Sequence, residues 1–199
     1  MIYKDKKELQ QKISKVIKID GNDVVIENEA ELKNALINDL IQTAVFSPDP
    51  AAQEAARWLI RRAGAALGII SSSIQALYEA MGREEAKGFT VPAINIRGIT
   101  YDTAQAVFRA INKGKVGPVI FEIARSEIDY TKQRPVEYTS AVIAAAVKTG
   151  YRGPVFLQGD HFQVSAKKFA ADAAKETQAV KNLIWEAIDA GFFNIDIDT

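Results

Sequence analysis

The chain is expected to be an α/β protein whose second part is a parallel sheet. Three observations predict this. From Phe89 onward, short apolar runs rich in β-branched residues alternate strictly with amphipathic stretches. Two of those runs open on the same tripeptide, Gly117-Pro118-Val119 and Gly153-Pro154-Val155. Polar residues gather toward the C-terminal end of each run, as at Gln158-Gly159-Asp160-His161. Strand–helix alternation argues for parallel pairing, because parallel neighbours need a crossover and a helix is the usual one.

The region up to about Gly88 has a different texture and is expected to be a mainly helical extension, residues 1–88, with a small hairpin. It opens with a charged helix over Lys6 to Lys15. Val16 to Ile19 and Val24 to Glu27 flank Asp20-Gly21-Asn22, which reads as a β-hairpin. Glu29 to Val45 is a helix with Leu32, Leu36, Leu40 and Ile41 on one face. Ser47-Pro48-Asp49-Pro50 breaks it and caps the next helix, Ala51 to Leu67. Gly68 ends that helix, and one of Ser71, Ser72 or Ser73 caps another that runs to Met81. Trp58 and Trp185 sit in amphipathic helices and are expected to be packing residues. Arg61-Arg62, near a helix C-terminus, complements the helix dipole.

The second region, residues 89–199, reads as strand Val91–Ile96, helix Tyr101–Asn112, strand Pro118–Ala124, helix Pro135–Lys148, strand Pro154–Gln158, helix Ala173–Ala190 and strand Phe193–Asp198. A doubly wound sheet and a (β/α)8 barrel both allow this order. No Gly-x-Gly-x-x-Gly follows a strand, which argues against the dinucleotide-binding version. Closing a barrel takes eight strands and this chain offers four, so the expectation is the front part of a longer protein.

Composition narrows the function classes. Lys plus Arg and Asp plus Glu both number 25, so nothing points to nucleic acid or an anionic membrane as partner. There is no Cys, which excludes a disulfide framework and a thiolate metal site and fits a cytoplasmic protein. No apolar stretch is long enough to span a bilayer, and the first residues lack a signal-peptide core.

Alternation along the strands sorts the polar residues by face. Asn95 and Arg97 share one face, Glu122 and Ala124 another, Gln158 pairs with Asp160, and Asn194, Asp196 and Asp198 line up. Together they predict a polar pocket at the C-terminal ends of the strands. Asp160 and His161 are sequence neighbours, so both reach that pocket only if His161 lies past the end of its strand. His161, the sole histidine, reads as a metal ligand or as a hydrogen-bonded strand-end residue. Asp160 reads as an acid/base group or a loop cap. Glu122 is a site carboxylate or an ion-pair partner of Arg97 or Lys168. Asp196 and Asp198 resemble a hard-cation pair or a solvated row. Lys167-Lys168 reads equally as a phosphate attractor or a solvated face.

At these residues the chain resembles the class II, zinc-dependent fructose-bisphosphate aldolases. The resemblance begins at Val91-Pro92-Ala93-Ile94-Asn95-Ile96-Arg97-Gly98 and continues through Val119-Ile120-Phe121-Glu122. It is strongest over Asp160-His161 with Ala166-Lys167-Lys168, and ends at Ile197-Asp198-Thr199. It implies the first four strands of a TIM-barrel-type fold, behind the helical extension. It implies a lyase of glycolysis and gluconeogenesis, cleaving fructose bisphosphate to dihydroxyacetone phosphate and glyceraldehyde phosphate, or the reverse. Zinc would serve as Lewis acid for the enediolate. By position the resemblance makes Asp160 the proton-transfer residue and His161 a zinc ligand. Asn95 and Ser126 would face the substrate, and Asp198 and Glu122 would orient the metal site from behind the ligands.

Three departures accompany the resemblance. Gln158 stands where the family shows a further His, and Ala124 where many members place a hydroxyl residue near a phosphate. The remaining zinc histidines have no counterpart, since His161 is alone. A catalytic zinc takes about three protein ligands, so the expectation is a site completed from outside this chain and a fragment without turnover. A tagatose-bisphosphate-type aldolase and a non-catalytic aldolase-like subunit that stabilises a catalytic partner are the alternatives. A small sugar phosphate and further copies of the chain are the expected partners.

Overall fold

The computed structural model describes residues 1–114 and 116–197. The chain folds into two compact units. One holds residues 1–70, 99–116 and 140–154; the other holds 71–98, 117–139 and 155–199. The division therefore interleaves along the sequence, and residue 88, the expected boundary, is not one of its borders.

The first unit is mainly helical. Helix α1, Lys6–Ile13, starts at Asp5, whose carboxylate accepts the Glu8 N–H. Strands β1, Ile17–Asp20, and β2, Asp23–Ile26, pair antiparallel with Asp20 opposite Asp23. Gly21 turns the hairpin at φ 61°, a conformation that disfavours residues with a Cβ. The expected helix from Glu29 is α2, Glu29–Glu31, followed by a π-helical stretch Leu32–Leu36 and α3, Ile37–Phe46. The apolar face survives the change of hydrogen-bond register: Leu32, Leu36, Leu40 and Ile41 are all buried. Helix α4, Pro50–Ala66, has Asp49 as its cap, accepting the Ala51 N–H at 3.0 Å, with proline in the first turn where no N–H is missed. Arg62 pairs with Asp23 at 3.5 Å and lies 5.9 Å over the Trp58 ring, so it works sideways from the helix.

Chain from the second part of the sequence completes this unit. Helix α6, Thr100–Gly114, and residues 140–149 of helix α8, Pro135–Thr149, belong to it. A Cβ on Gly64 would meet Ile143 Cγ2 at 2.5 Å, so α4 and α8 approach as closely as a glycine permits.

The sheet carries the site. Strands β3 (Ile69–Ser72), β4 (Ala93–Asn95), β5 (Ile120–Ala124), β6 (Gly153–Asp160) and β7 (Asn194–Ile195) form it. β4, β5, β6 and β7 are parallel neighbours in sequence order, and β3 also pairs with β6. The α/β class with parallel pairing is thus observed. The strand path has two ends, so among the described residues the sheet does not close. Between the strands lie α5 (Gln75–Gly82), α7 (Arg125–Thr131), α9 (Ala166–Ala171) and α10 (Ala173–Ala190). β3, α7 and α9 go beyond the elements expected from the sequence. The serine run differs too: Ser71 and Ser72 end β3, and the N-cap of α5 is Ile74, without a side-chain cap; Ser73 stands one place before it, its hydroxyl accepting the Gln75 N–H at 3.2 Å.

In the second unit Ile74, Ile120 and Phe156 form one buried cluster, with Leu77 and Val91 against it. The Tyr138 ring is fully buried beside Phe192, and its hydroxyl donates to the Glu122 carbonyl at 2.8 Å. Trp185 corrects an expectation: at 67% exposure it is not a packing residue, because α10 buries Val180, Leu183 and Ala187 instead. No helix of the described residues is long and apolar enough to cross a membrane.

Candidate metal centre

The polar faces read from alternation come into register across the sheet. Asn95 of β4 lies beside Glu122 of β5, Glu122 beside Gln158 of β6, and Gln158 beside Asn194 of β7. One step further, Ala124 pairs with Asp160. A residue shared by all four strands at one level must point to one face, since side-chain direction alternates along each. Parallel pairing thus builds a polar row from residues scattered over about 100 positions of sequence.

Hydrogen bonds knit the row. Gln158 Nε2 donates to Glu122 Oε2 at 3.0 Å, and Asn95 Nδ2 donates to Asp160 Oδ2 at 3.3 Å. Asn95 Oδ1 accepts from Arg97 Nε at 3.3 Å, so this amide is held between a cation and a carboxylate. Asn194 donates to the Leu157 carbonyl and accepts from the Ile74 N–H, both at 3.3 Å. Burial first, and then the charge of Asp160, push the Glu122 carboxyl above the usual range; the Gln158 amide and His161 pull the other way.

β6 ends at Asp160, and His161 follows at φ 46°. This left-handed step lets two sequence neighbours face one place. His161 Nε2 lies 3.7 Å from Asp160 Oδ1. Asp196, just beyond β7, joins them: one ligand atom each from Asp160, His161 and Asp196 fall within 4.8 Å of one another. Asp160 is half-buried, while His161 and Asp196 are exposed.

The backbone explains why Asp196 arrives there. Its N–H donates to the Gly159 carbonyl at 2.8 Å, and its carbonyl accepts the Phe162 N–H at 2.9 Å. The Phe162 ring is fully buried over Gly159, where a Cβ would sit 2.6 Å from Phe162 Cζ. A glycine two places before His161 is therefore a packing requirement.

A cavity of about 430 Å³ opens beside His161, lined by Arg125, Ser126, Asp129, Ser165 and Lys168 among others. The expected substrate residue Ser126 is exposed and borders it. Arg125 is mostly buried and is committed to the Gln163 carbonyl at 2.6 Å and to Glu176 Oε1 at 2.7 Å. A second cavity, about 650 Å³, is lined by Asp196 together with Gln75, Tyr78, Gln158 and Asn194.

Several expectations change here. Arg97 does not pair with Glu122; its carboxylate is Glu127, at 3.0 Å. Glu127 also accepts the Ala124 N–H at 2.9 Å, capping α7. Asn95, expected to face substrate, turns its amide to Asp160 and Arg97. Asp198 lies outside the described residues; among the described residues, Asp196 is the carboxylate after β7 that meets His161. Glu127 and Glu176 are not among the candidates that the sequence offers; Glu127 has a local signal, being the third residue of a helix, whereas Glu176 has none.

No family model and no curated protein matches this chain. The donor chemistry therefore carries the reading. One imidazole and two carboxylates suit a borderline divalent cation such as zinc or manganese better than calcium, which prefers oxygen alone.

Proposed function

We propose that the chain carries part of a divalent-metal site for aldol cleavage or formation of a ketose bisphosphate, on a barrel-type α/β scaffold. One observation carries the reading: Asp160, His161 and Asp196 converge at the C-terminal ends of adjacent parallel strands. Active sites of (β/α)8 proteins lie at that end. β4 to β7 neighbour one another in sequence order, which supports a barrel-type winding because a doubly wound sheet reverses its order part-way; β3, beside β6, stands outside that order.

His161 and Asp196 would hold the cation, with zinc the expected ion; Asp160, the third possible donor of the group, is kept for the proton, and further ligands would come from outside this chain. When bound, it supplies Lewis acidity for proton loss next to a carbonyl. Asp160 moves the proton of the substrate hydroxyl as the carbon–carbon bond breaks or forms. Asn95 holds Asp160 by donating to Oδ2, which leaves Oδ1 toward the site. Ser126 and Lys168 border the adjoining cavity and would meet a phosphate there. Glu122 and Gln158 keep the floor of the site polar and fixed. The sequence contains a single imidazole, so the ligand set is weaker in nitrogen donors than the resemblance implies, and slow or absent turnover is expected.

The test uses the sole histidine as its own reporter. Zinc should shift the imidazole resonances of His161, and Asp196→Asn should abolish the shift. A phosphorylated hydroxamate, which mimics the planar enediolate, should bind only when zinc is present. A protein that takes up zinc but ignores the hydroxamate would sink the aldol reading and favour a binding subunit.

A further inference from the structure

We infer that Arg125 and Glu176 are positioning residues for His161, holding the loop that presents it. The inference rests on the reading of His161 as a metal donor. Residues 161–165 connect β6 to α9, and two anchors hold this loop after His161, one at Phe162 and one at Gln163 and Ser165. On the near side are the Phe162 ring over Gly159 and the backbone bonds to Asp196. On the far side is an ion pair that reaches the loop twice. Arg125 donates from one guanidinium nitrogen to the Gln163 carbonyl at 2.6 Å and to Glu176 at 2.7 Å. The same Glu176 oxygen accepts the Ser165 N–H at 2.8 Å.

Both partners are shielded, Arg125 side chain 14% and Glu176 side chain 4% exposed, where an ion pair is little screened. They come from different elements. Arg125 opens α7 directly after β5, and Glu176 sits in the first turn of α10. The pair thus ties the loop of the third parallel strand to the element after the second strand and to the helix leading into the fourth. A residue in the left-handed region, such as His161, is held by its surroundings rather than by its own preference. Without the far anchor, the imidazole would lose its fixed distance to Asp196.

Zinc titrations followed through the His161 imidazole lines test this, with thermal unfolding alongside. Replacing both Arg125 and Glu176 by methionine removes both charges together, which commonly leaves stability near wild type, whereas one alone strands a buried charge. The double variant is expected to unfold near the wild-type midpoint and yet bind zinc about tenfold more weakly, or worse. Arg125→Lys keeps the charge balance and the fold but reaches Gln163 poorly, and should show a smaller loss in the same direction. Wild-type zinc affinity in both variants would overturn the inference and leave the pair a purely structural element. His161→Ala separates the two readings: if it binds zinc as wild type does, the donor group itself falls, and this inference with it.

Discussion

Gly159→Ala isolates one contact and its price in stability. Gly159 does not occupy the positive-φ region, so alanine meets no backbone penalty there. The new Cβ would lie 2.6, 2.8 and 3.0 Å from Cζ, Cε1 and Cε2 of Phe162. Ordinary contact begins near 3.4 Å, so the ring must retreat by roughly 0.8 Å. Phe162 is fully buried and cannot swing into solvent. Overpacking of this kind costs about 1–3 kcal/mol. Urea unfolding followed by tryptophan fluorescence would measure it. Phe162→Ala alone should cost about 3–5 kcal/mol. On that background Gly159→Ala should be neutral or slightly stabilising, since the clash is gone and glycine is a poor strand residue. The signature is the coupling between the two sites. A Gly159→Ala cost within about 0.5 kcal/mol of zero in the wild type would refute the reasoning. So would an equal cost in both backgrounds.

Other predictions follow from single groups. Glu122 has a folded pKa raised above the ordinary 4.5, so the native state holds its proton longer and stability falls as pH rises past that value. Glu122→Gln should flatten this slope and raise the unfolding midpoint at neutral pH, as read by circular dichroism. Glu176 runs the other way: the Arg125 hydrogen bond, then the Ser165 N–H, lower its pKa, and its contribution is present above 4.5 and lost as acid reaches the folded value. Glu176→Gln should weaken the acid limb of the same curve while Glu122→Gln does not. Asp49→Ala removes the cap of α4 and should cost about 1 kcal/mol in chemical denaturation.

Much of the fold is legible in the sequence where local chemistry decides. α10 occupies the expected residues, and α4 differs by one residue at each end, because caps and periodicity both mark the limits. The hairpin is legible from Asp20-Gly21-Asn22. β3 is not, since two isoleucines followed by serines give no alternation to read. α7 and α9 are only seven and six residues long, too short for a periodic stripe. In the site, alternation assigns the faces of Asn95, Glu122, Gln158 and Asp196. It cannot supply the register that makes one row across the sheet, which depends on which strands pair. Arg125 and Glu176 are 51 residues apart and carry no local mark of their meeting.

The interleaving of the two units bears on how the chain is made. The unit containing the N-terminus also needs residues 99–116 and 140–154. During synthesis it cannot be completed until residue 154 has left the ribosome, by which time β4 and β5 have already emerged. The helices of the N-terminal region must therefore wait, partly uncovered, for partners encoded far downstream, as with Gly64 and the Ile143 that fills its surface. Contacts of such sequence separation slow folding and prolong exposure of apolar faces. A nascent chain released early, or cut anywhere before α8, would leave both units unfinished at once.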